Sequence, residues 1–89
     1  MSTEEMIGRI YDFALNGGDC SCEFIDREDG ALVTIKRIEA QGGIVRIYYT
    51  AFPDGDSGSF RLNDCYYGYV FDIYNAVFGK KRDKNLFQS

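Results

Sequence analysis

The chain of 89 residues contains neither histidine nor tryptophan. Histidine is the side chain whose ordinary pKa lies nearest to neutral pH, and it is the commonest catalytic base. Its absence argues against triad-type and general acid–base catalysis, so we expect a protein that is not an enzyme. The chain also lacks a run of about 18 apolar residues, which argues against a membrane-spanning helix. Its acidic start lacks the apolar stretch of a secretory signal.

Cysteine is scarce and odd in number, at Cys20, Cys22 and Cys65. Cys20 and Cys22 lie two apart on a predicted strand, where a mutual disulfide would be strained. Free thiols in a reducing cytoplasm are therefore expected. The three cysteines would supply three thiolate ligands to a zinc ion, and a carboxylate would have to supply the fourth. Structural zinc, however, normally has four Cys or His ligands. Buried small side chains are the favoured interpretation, and we expect no metal and no cofactor.

Positive charge is scarce in the first third of the chain. Residues 4–29 contain eight carboxylates against Arg9 and Arg27, a local charge of −6, whereas residues 79–89 carry +3 and the whole chain −4. An acidic chain disfavours generic nucleic-acid binding, because phosphate neutralisation requires clustered lysine and arginine. The eight carboxylates are Glu4, Glu5, Asp12, Asp19, Glu23, Asp26, Glu28 and Asp29.

Apolar and aromatic residues are abundant, with 45% hydrophobic residues, seven phenylalanines and seven tyrosines. This content is sufficient for a packed core and argues against a disordered chain. The length corresponds to one domain over residues 1–89, in which residues 80–89 are expected to form a flexible basic tail.

The pattern of residues 3–16 predicts an α-helix. Ser2 and Glu5 have the spacing of a capping box, in which the serine hydroxyl accepts a bond from the backbone three residues on. Apolar residues recur at three- and four-residue spacing and predict a core-facing stripe. The helix is expected to end at Asn16-Gly17-Gly18, because glycine adopts left-handed angles without a Cβ clash. The stripe consists of Met6, Ile7, Ile10, Phe13 and Ala14.

Three strands are predicted after this helix, beginning with residues 20–27. Asp29-Gly30 is a strong signal for a two-residue hairpin turn. The resulting register pairs apolar with apolar side chains and opposite charges with each other, which supports it. The predicted pairs are Glu28 with Ala31, Phe24 with Ile35 and Glu23 with Lys36.

A second hairpin is predicted at residues 42–43, followed by a strand over residues 44–52. The apolar positions change parity between residues 33–35 and residues 38–40. A regular strand would place these two groups on opposite faces, so we expect a β-bulge near residues 36–37. The predicted pairs are Ala40 with Val45, Glu39 with Arg46 and Ile38 with Ile47.

Residues 53–59 are rich in turn-forming residues and are expected to form a loop. Asn63 is expected to cap a second helix over residues 64–79. The predicted order is α-β-β-β-α, an α+β domain with a three-stranded antiparallel meander and two helices on one face. One apolar stripe of the second helix covers the sheet, so the other needs the first helix, a partner chain or a binding role. The stripes are Tyr66, Val70, Ile73 and Val77, and Tyr67, Phe71, Tyr74 and Phe78.

The loop contains two short motif matches. Gly55-Asp56-Ser57-Gly58 matches the nucleophile tetrapeptide of chymotrypsin-like proteases, but the chain has no imidazole to accept the serine proton. Asp54-x-Asp56-x-Gly58 begins like a calcium-binding loop, but the third oxygen ligand and the closing glutamate are missing. A polar, solvated turn is the favoured interpretation of both.

The size, the acidic run from Glu4 to Asp29, the loop Asp54-Gly55-Asp56 and the α-β-β-β-α order resemble a known group of proteins. These are the small phage-encoded inhibitors of nucleases, the anti-CRISPR and anti-restriction proteins. The resemblance covers the architecture and charge of the whole chain and carries over no individual residue. It implies an acidic DNA mimic that occupies the nucleic-acid channel of another protein.

We therefore expect a non-enzymatic inhibitor or regulator, encoded by a phage or mobile element and located in the host cytoplasm. The expected partner is a basic protein such as a nuclease or CRISPR effector, with no direct binding of nucleic acid or membrane. Acidic groups would steer the association and tyrosines would anchor it. The alternative is a homodimeric scaffold or regulatory subunit that uses the aromatic helix face, so the chain is expected to be a monomer or a homodimer. The predicted partner-binding residues are Glu23, Asp26, Glu28, Asp29, Asp54, Asp56, Tyr48, Tyr67 and Tyr74.

Overall fold

The computed structural model describes residues 1–18 and 21–79. Cys20 and the predicted basic tail over residues 80–89 lie outside these described residues. The described residues form an α+β domain whose four antiparallel strands are neighbours in the sheet in chain order. The elements are α1 (Thr3–Leu15), β1 (Cys22–Ile25), β2 (Leu32–Gln41), β3 (Ile44–Phe52), β4 (Asp56–Arg61), a 3-10 turn (Leu62–Asp64), α2 (Tyr67–Tyr74) and a π-helical turn (Asn75–Gly79).

The prediction of three strands is wrong, because a fourth strand occupies much of the segment expected to be a loop. β4 pairs with β3 along its length, with Gly58 opposite Tyr49 and Phe60 opposite Ile47. Most of β4 is exposed. An edge strand with polar, exposed side chains shows no apolar alternation, so its sequence resembles a loop. Backbone pairing with the edge of β3 forms this strand.

The first helix confirms the predicted cap. The Ser2 side chain accepts a hydrogen bond of 3.1 Å from the Glu5 backbone N–H. The helix ends at Leu15 with Asn16 as its C-cap, and Gly17 follows with a φ of 80°. Three residues of the predicted stripe are buried against the sheet, namely Met6, Ile7 and Ile10.

The predicted register of the first hairpin is wrong by two residues. Phe24 lies opposite Val33, because the turn is longer than the Asp-Gly signal indicates. The Asp26 N–H donates to the Ala31 carbonyl at 2.9 Å, and the Gly30 N–H donates to the Asp26 carbonyl at 2.8 Å. A shift of two residues preserves the face of each side chain, so Phe24 remains in the core.

The second hairpin has the predicted register. Ala40 pairs with Val45 and Ile38 with Ile47, and the turn lies at Gly42-Gly43. The register shifts between Ile35 and Arg37, which confirms the predicted bulge. The extra residue returns the apolar positions of both halves of β2 to the core side of the sheet.

Both helices contribute to one core on a single face of the sheet. Val70, Ile73 and Val77 are buried in the same cluster as the α1 stripe and the inward sheet residues. The prediction that Asn63 caps the second helix is wrong, because α2 begins at Tyr67 and Asn63 lies in the 3-10 turn. Leu62 is fully buried there, so the chain bends to insert it before the helix starts. We call the sheet face opposite the helices the open face.

Candidate protein-docking surface

Two acidic turns lie at the same end of the sheet. One turn joins β1 to β2 and the other joins β3 to β4. Successive turns of an antiparallel meander alternate between the two ends, so the first and third turns share an end. Leu32 follows the first of these turns and Phe52 precedes the other, and the two residues pair directly, which confirms that both turns lie at the same end of the sheet. We call this region the acidic end, and its exposed carboxylates are Glu28, Asp29, Asp54 and Asp56.

Three apolar side chains lie beside these turns on the open face. Ile25 pairs with Leu32, and Leu32 pairs with Phe52, so the three form one row across the sheet. Ile25 is 55% exposed and Phe52 is 67% exposed. Single exposed apolar residues are common, but adjacent ones rimmed by charge are typical of interaction sites. We call these three residues the apolar row.

Few opposite charges balance the acidic end. Arg27 in the first turn is engaged by Asp72 of α2, at 2.7 Å from its Nε. Within the described residues, Glu28, Asp29, Asp54 and Asp56 take part in no salt bridge. Asp29 accepts a hydrogen bond of 3.0 Å from the Ala31 N–H, which holds the turn. The acidic end therefore presents a negative potential to solvent.

The other predicted carboxylates have different positions. Glu23 lies on the open face in the row next to the apolar row, opposite Thr34. Asp26 is on the helix side, where it accepts hydrogen bonds from the Tyr69 hydroxyl at 3.4 Å and the Glu28 N–H at 2.9 Å. Asp26 therefore holds the first turn against α2, which is a structural role.

The acidic run of residues 4–29 does not share a single surface. Glu4 lies on α1 and lines a cleft with Gly43 and Asn63. Gly43 belongs to the second hairpin turn, at the end of the sheet opposite the acidic end. The negative groups of α1 are thus separated from those of the turns by the length of the sheet.

The predicted tyrosines do not meet at one place. The Tyr48 ring lies on the open face below the Arg37 guanidinium, whose Cζ is 4.2 Å from the ring centroid. Tyr67 is 50% exposed and stacks on Phe71 with centroids 6.0 Å apart. Tyr74 packs against Phe78 between the helices, with centroids 4.8 Å apart. The second apolar stripe of α2 is therefore divided between a contact with α1 and a small exposed pair.

Four basic residues lie on the open face around Glu39, which pairs directly with Arg46 and forms an ion pair of 3.6 Å with Arg37. Arg46 lies directly opposite Arg61 of β4, and Arg37 lies opposite Tyr48 in the adjacent row. Lys36 is exposed at the bulge. The parity of β3 predicts the outward direction of Arg46, and the pairing of β4 with β3 brings Arg61 directly beside it. We call these four residues the basic rows.

The environments of the cysteine thiols and of the Tyr69 phenol disfavour nucleophilic chemistry. Cys22 is buried, and the partly buried Cys65 is a free thiol. Burial, with a smaller contribution from Asp64, raises the pKa of the Cys65 thiol and so disfavours the reactive thiolate. Burial and the adjacent Asp26 raise the pKa of the Tyr69 phenol. The part of the chain that the structure describes holds no cluster of three or more metal-ligating side chains.

A groove of about 790 Å³ runs between β1 and the α2 side of the fold. The Arg27–Asp72 ion pair lies at its wall, and Asn75 and Ala76 line it further along the chain. Its lining mixes backbone, apolar and paired charged groups.

None of the helices in residues 1–18 and 21–79 combines the length and apolar character needed to cross a bilayer. The chain matches no known protein family, no curated protein and no solved structure.

Proposed function

We propose that this chain is a non-enzymatic protein-binding domain that docks through its acidic end and apolar row. The observation that carries the proposal is that two acidic turns flank Ile25, Leu32 and Phe52 on an exposed face. We further propose that it is a phage or mobile-element inhibitor or regulator acting in the host cytoplasm. Its target would be a basic nucleic-acid-binding protein, such as a CRISPR effector or nuclease. The resemblance in size and charge supports this target class.

The two parts of the surface have different physical roles. The uncompensated carboxylates attract a basic surface over roughly a Debye length, about 10 Å at 0.1 M salt, and raise the association rate. The apolar row loses contact with water in the complex and slows dissociation. Phe52 is the natural anchor, because it is the most exposed large apolar side chain of the described chain.

Two matched charge-reversal variants test the electrostatic part. The first changes Glu28 and Asp54 to lysine, since both side chains are exposed and neither takes part in a salt bridge within the described residues. The second changes Glu4 and Glu5 to lysine on α1, with the same change in net charge. The probes are a purified RNA-guided nuclease and a purified restriction endonuclease, and the measurement is binding kinetics at low and high salt.

The acidic-end variant is expected to reduce the association rate by roughly tenfold or more at low salt, with the difference shrinking at high salt. The α1 variant is expected to change it much less. Phe52→Ser is expected to raise the dissociation rate instead. Equal losses in both charge variants, or binding that ignores ionic strength, would reject the proposed docking surface. Failure to bind either probe would reject the proposed class of target.

A second candidate is a homodimeric scaffold or regulatory subunit that uses the exposed helix face. The observation in its favour is the stacked pair of Tyr67 and Phe71, with interplanar angle 12° and Phe71 39% exposed. Sedimentation at micromolar concentration tests it with the Phe71→Ser variant. A dimer that this change disrupts supports the candidate, and a strictly monomeric wild type removes it.

A further inference from the structure

The strand β1 forms one edge of the sheet, and half of its backbone groups point away from its neighbour. Within the described residues, β1 pairs only with β2. The Asp26 N–H donates to the Ala31 carbonyl, which continues this pairing by one position. Backbone groups of an antiparallel strand face its neighbour at every second residue, so those of Phe24 face β2. The N–H and C=O groups of Glu23 and Ile25 therefore point outward, as a template for another strand.

The groove of about 790 Å³ lies along this outward edge. All four residues of β1 line one side of it, and Asp72, Asn75 and Ala76 of the second helical region line the other. Neighbouring strands lie about 4.8 Å apart, so a segment paired with β1 would lie within the groove and contact this helical wall. A cleft that borders β4, the other edge strand, is lined by residues of β2, β3 and β4 alone. The helical wall thus distinguishes the edge at β1.

We propose that this groove binds an extended segment of a protein partner as an additional strand beside β1. The backbone of the segment exchanges hydrogen bonds with Glu23 and Ile25, and its side chains alternate between the open face and the helical wall. Ile25 also belongs to the apolar row, so the groove continues the proposed docking surface. This assignment deepens the proposed function and rests on it for the partner being a protein.

Two side chains of β1 determine the chemistry of the segment, because directly opposite residues share a face. An apolar residue opposite Ile25 would cover a side chain that is 55% exposed. A basic residue opposite Glu23 would meet a carboxylate that takes part in no salt bridge within the described residues. On β2, Thr34 lies directly opposite Glu23 and is uncharged. The residue between them faces the wall at Ala76 and is expected to be small, so an antiparallel segment has the order apolar, small, basic.

A second copy of this chain matches the edge less well. Antiparallel pairing within the bounds of β1 sets Glu23 against either Glu23 or Ile25 of the copy, because paired residues share a face. The first arrangement places like charges directly opposite each other, which is unfavourable. The second places a carboxylate against an apolar side chain. The charge of this edge therefore favours a basic segment of another protein.

Synthetic peptides test strand addition without any nuclease. The probe is the pentapeptide Thr-Val-Ala-Lys-Thr with blocked ends, whose valine lies opposite Ile25 and whose lysine lies opposite Glu23. N-methylation of the valine and the lysine removes the two N–H groups that point at β1. N-methylation of the alanine and the last threonine removes two that point away, so this peptide is the matched control. NMR titration of the full chain locates the site through its amide shifts and measures the affinity.

Charge exchange tests the register. Glu23→Lys is expected to weaken binding of the lysine peptide and to strengthen binding of Thr-Val-Ala-Glu-Thr. Glu28→Lys makes the same change in net charge at the acidic end, where it is expected to weaken target binding and to alter peptide binding much less. Circular dichroism reports folding of both variants. Nuclease binding without peptide binding would retain the proposed function and reject the groove, so the two failures are distinguishable.

The expected results are saturable binding with shifts at the amides of Glu23 and Ile25, and a loss of roughly tenfold or more when the inward N–H groups are methylated. Glu23→Lys is expected to lose about threefold or more at low salt. Absence of saturable binding, equal effects of the two methylated peptides, or a Glu23→Lys variant that binds both peptides as the wild type does would overturn the proposal.

Hydrogen exchange before peptide is added identifies other occupants of the edge. The amides of Glu23 and Ile25 are expected to exchange rapidly in the isolated chain. Slow exchange in a wild type that sediments as a dimer would assign the edge to a second copy. Slow exchange in a monomer would assign it to another segment of the same chain. Either result would overturn the assignment to a partner.

Discussion

Arg27 donates two hydrogen bonds to Asp72, from Nε to Oδ2 and from Nη2 to Oδ1, each at 2.7 Å. The two residues are 45 positions apart in the chain. This bidentate pair joins the first hairpin turn to α2 with a fixed geometry. The hydrogen bond and the charge of Asp72 raise the pKa of the Arg27 guanidinium. The pair therefore orients the turn that carries Glu28 and Asp29.

Asp72→Asn is expected to lower the midpoint of urea unfolding, because the neutral amide offers one acceptor oxygen instead of two and removes the charge. The loss is expected to be small and to decrease with added salt, since Arg27 is largely exposed. Asp64→Asn is the control, because its pair with Arg61 is longer, at 3.3 Å, and joins two exposed side chains. Equal effects of the two changes at every salt concentration would contradict a specific role for the Arg27 pair.

Deletion of Lys36 tests the bulge in β2. Without the extra residue, Ile38 and Ala40 would turn away from the core, because a one-residue shift exchanges the faces of a strand. Full burial of an isoleucine is worth about 1.5–3 kcal/mol, and Ile38 is partly buried, so we expect a loss of about 1–2 kcal/mol in the free energy of unfolding. Chemical denaturation provides the measurement. Lys36→Ser keeps the chain length and is expected to cost little, and a deletion variant as stable as this control would show that the bulge is dispensable.

Asn63 joins the 3-10 turn to the second hairpin. Its Oδ1 accepts from the Val45 N–H at 2.9 Å, and its Nδ2 donates to the Gly43 carbonyl at 3.2 Å. Asn63→Ala is expected to lower the free energy of unfolding by about 1–3 kcal/mol, because the N–H of a buried residue loses its acceptor. Asn63→Asp keeps that acceptor and loses only the donor, so it should fall between the alanine variant and the wild type. The reverse order in denaturation experiments would contradict this assignment.

Tyr69 links stability to alkaline pH. Its pKa is raised in the folded state, so the fold favours the protonated phenol. The stabilisation is complete below the ordinary tyrosine pKa of about 10 and is lost as the pH rises from there toward the folded-state pKa. The stability difference between wild type and Tyr69→Phe is therefore expected to be constant at neutral pH and to shrink above about pH 10.

Chemical denaturation from neutral pH to about pH 12 measures this difference. At neutral pH, Tyr69→Phe is expected to cost about 0.5–1.5 kcal/mol for the lost hydrogen bond to Asp26. Asp26→Asn removes the charge that contributes to the raised pKa, so its stability should decline less steeply with pH than that of the wild type. Parallel curves for wild type and Tyr69→Phe through this range would refute the linkage.

Short-range patterns anticipated the elements that depend on neighbours in the chain. The serine cap of α1 and its buried stripe follow from spacings of three and four residues. The change of parity in β2 was sufficient to predict the bulge, because apolar side chains on both halves must reach the same core. The register of the second hairpin follows from the same alternation and its glycine turn.

The first turn, the edge strand and the start of the second helix were harder to predict, because their sequence signals are weak or favour a different local structure. Asp29-Gly30 suggested a tight turn, but side-chain acceptors on Asp26 and Asp29 stabilise a longer one. β4 has mostly exposed polar side chains, so only pairing with β3 distinguishes it from a loop. Asn63 has the chemistry of a helix cap, yet its amide is engaged by the second hairpin.

The candidate docking surface depends on both kinds of information. Composition and local spacing establish an acidic α+β domain without histidine, with carboxylates in two turn segments. That these turns share one end of the sheet beside Ile25 and Phe52, and that Arg46 meets Arg61, follows from strand order and the presence of β4. Contacts of this kind join residues that are far apart in the chain, so they arise from cooperative burial of one core and have no local signature.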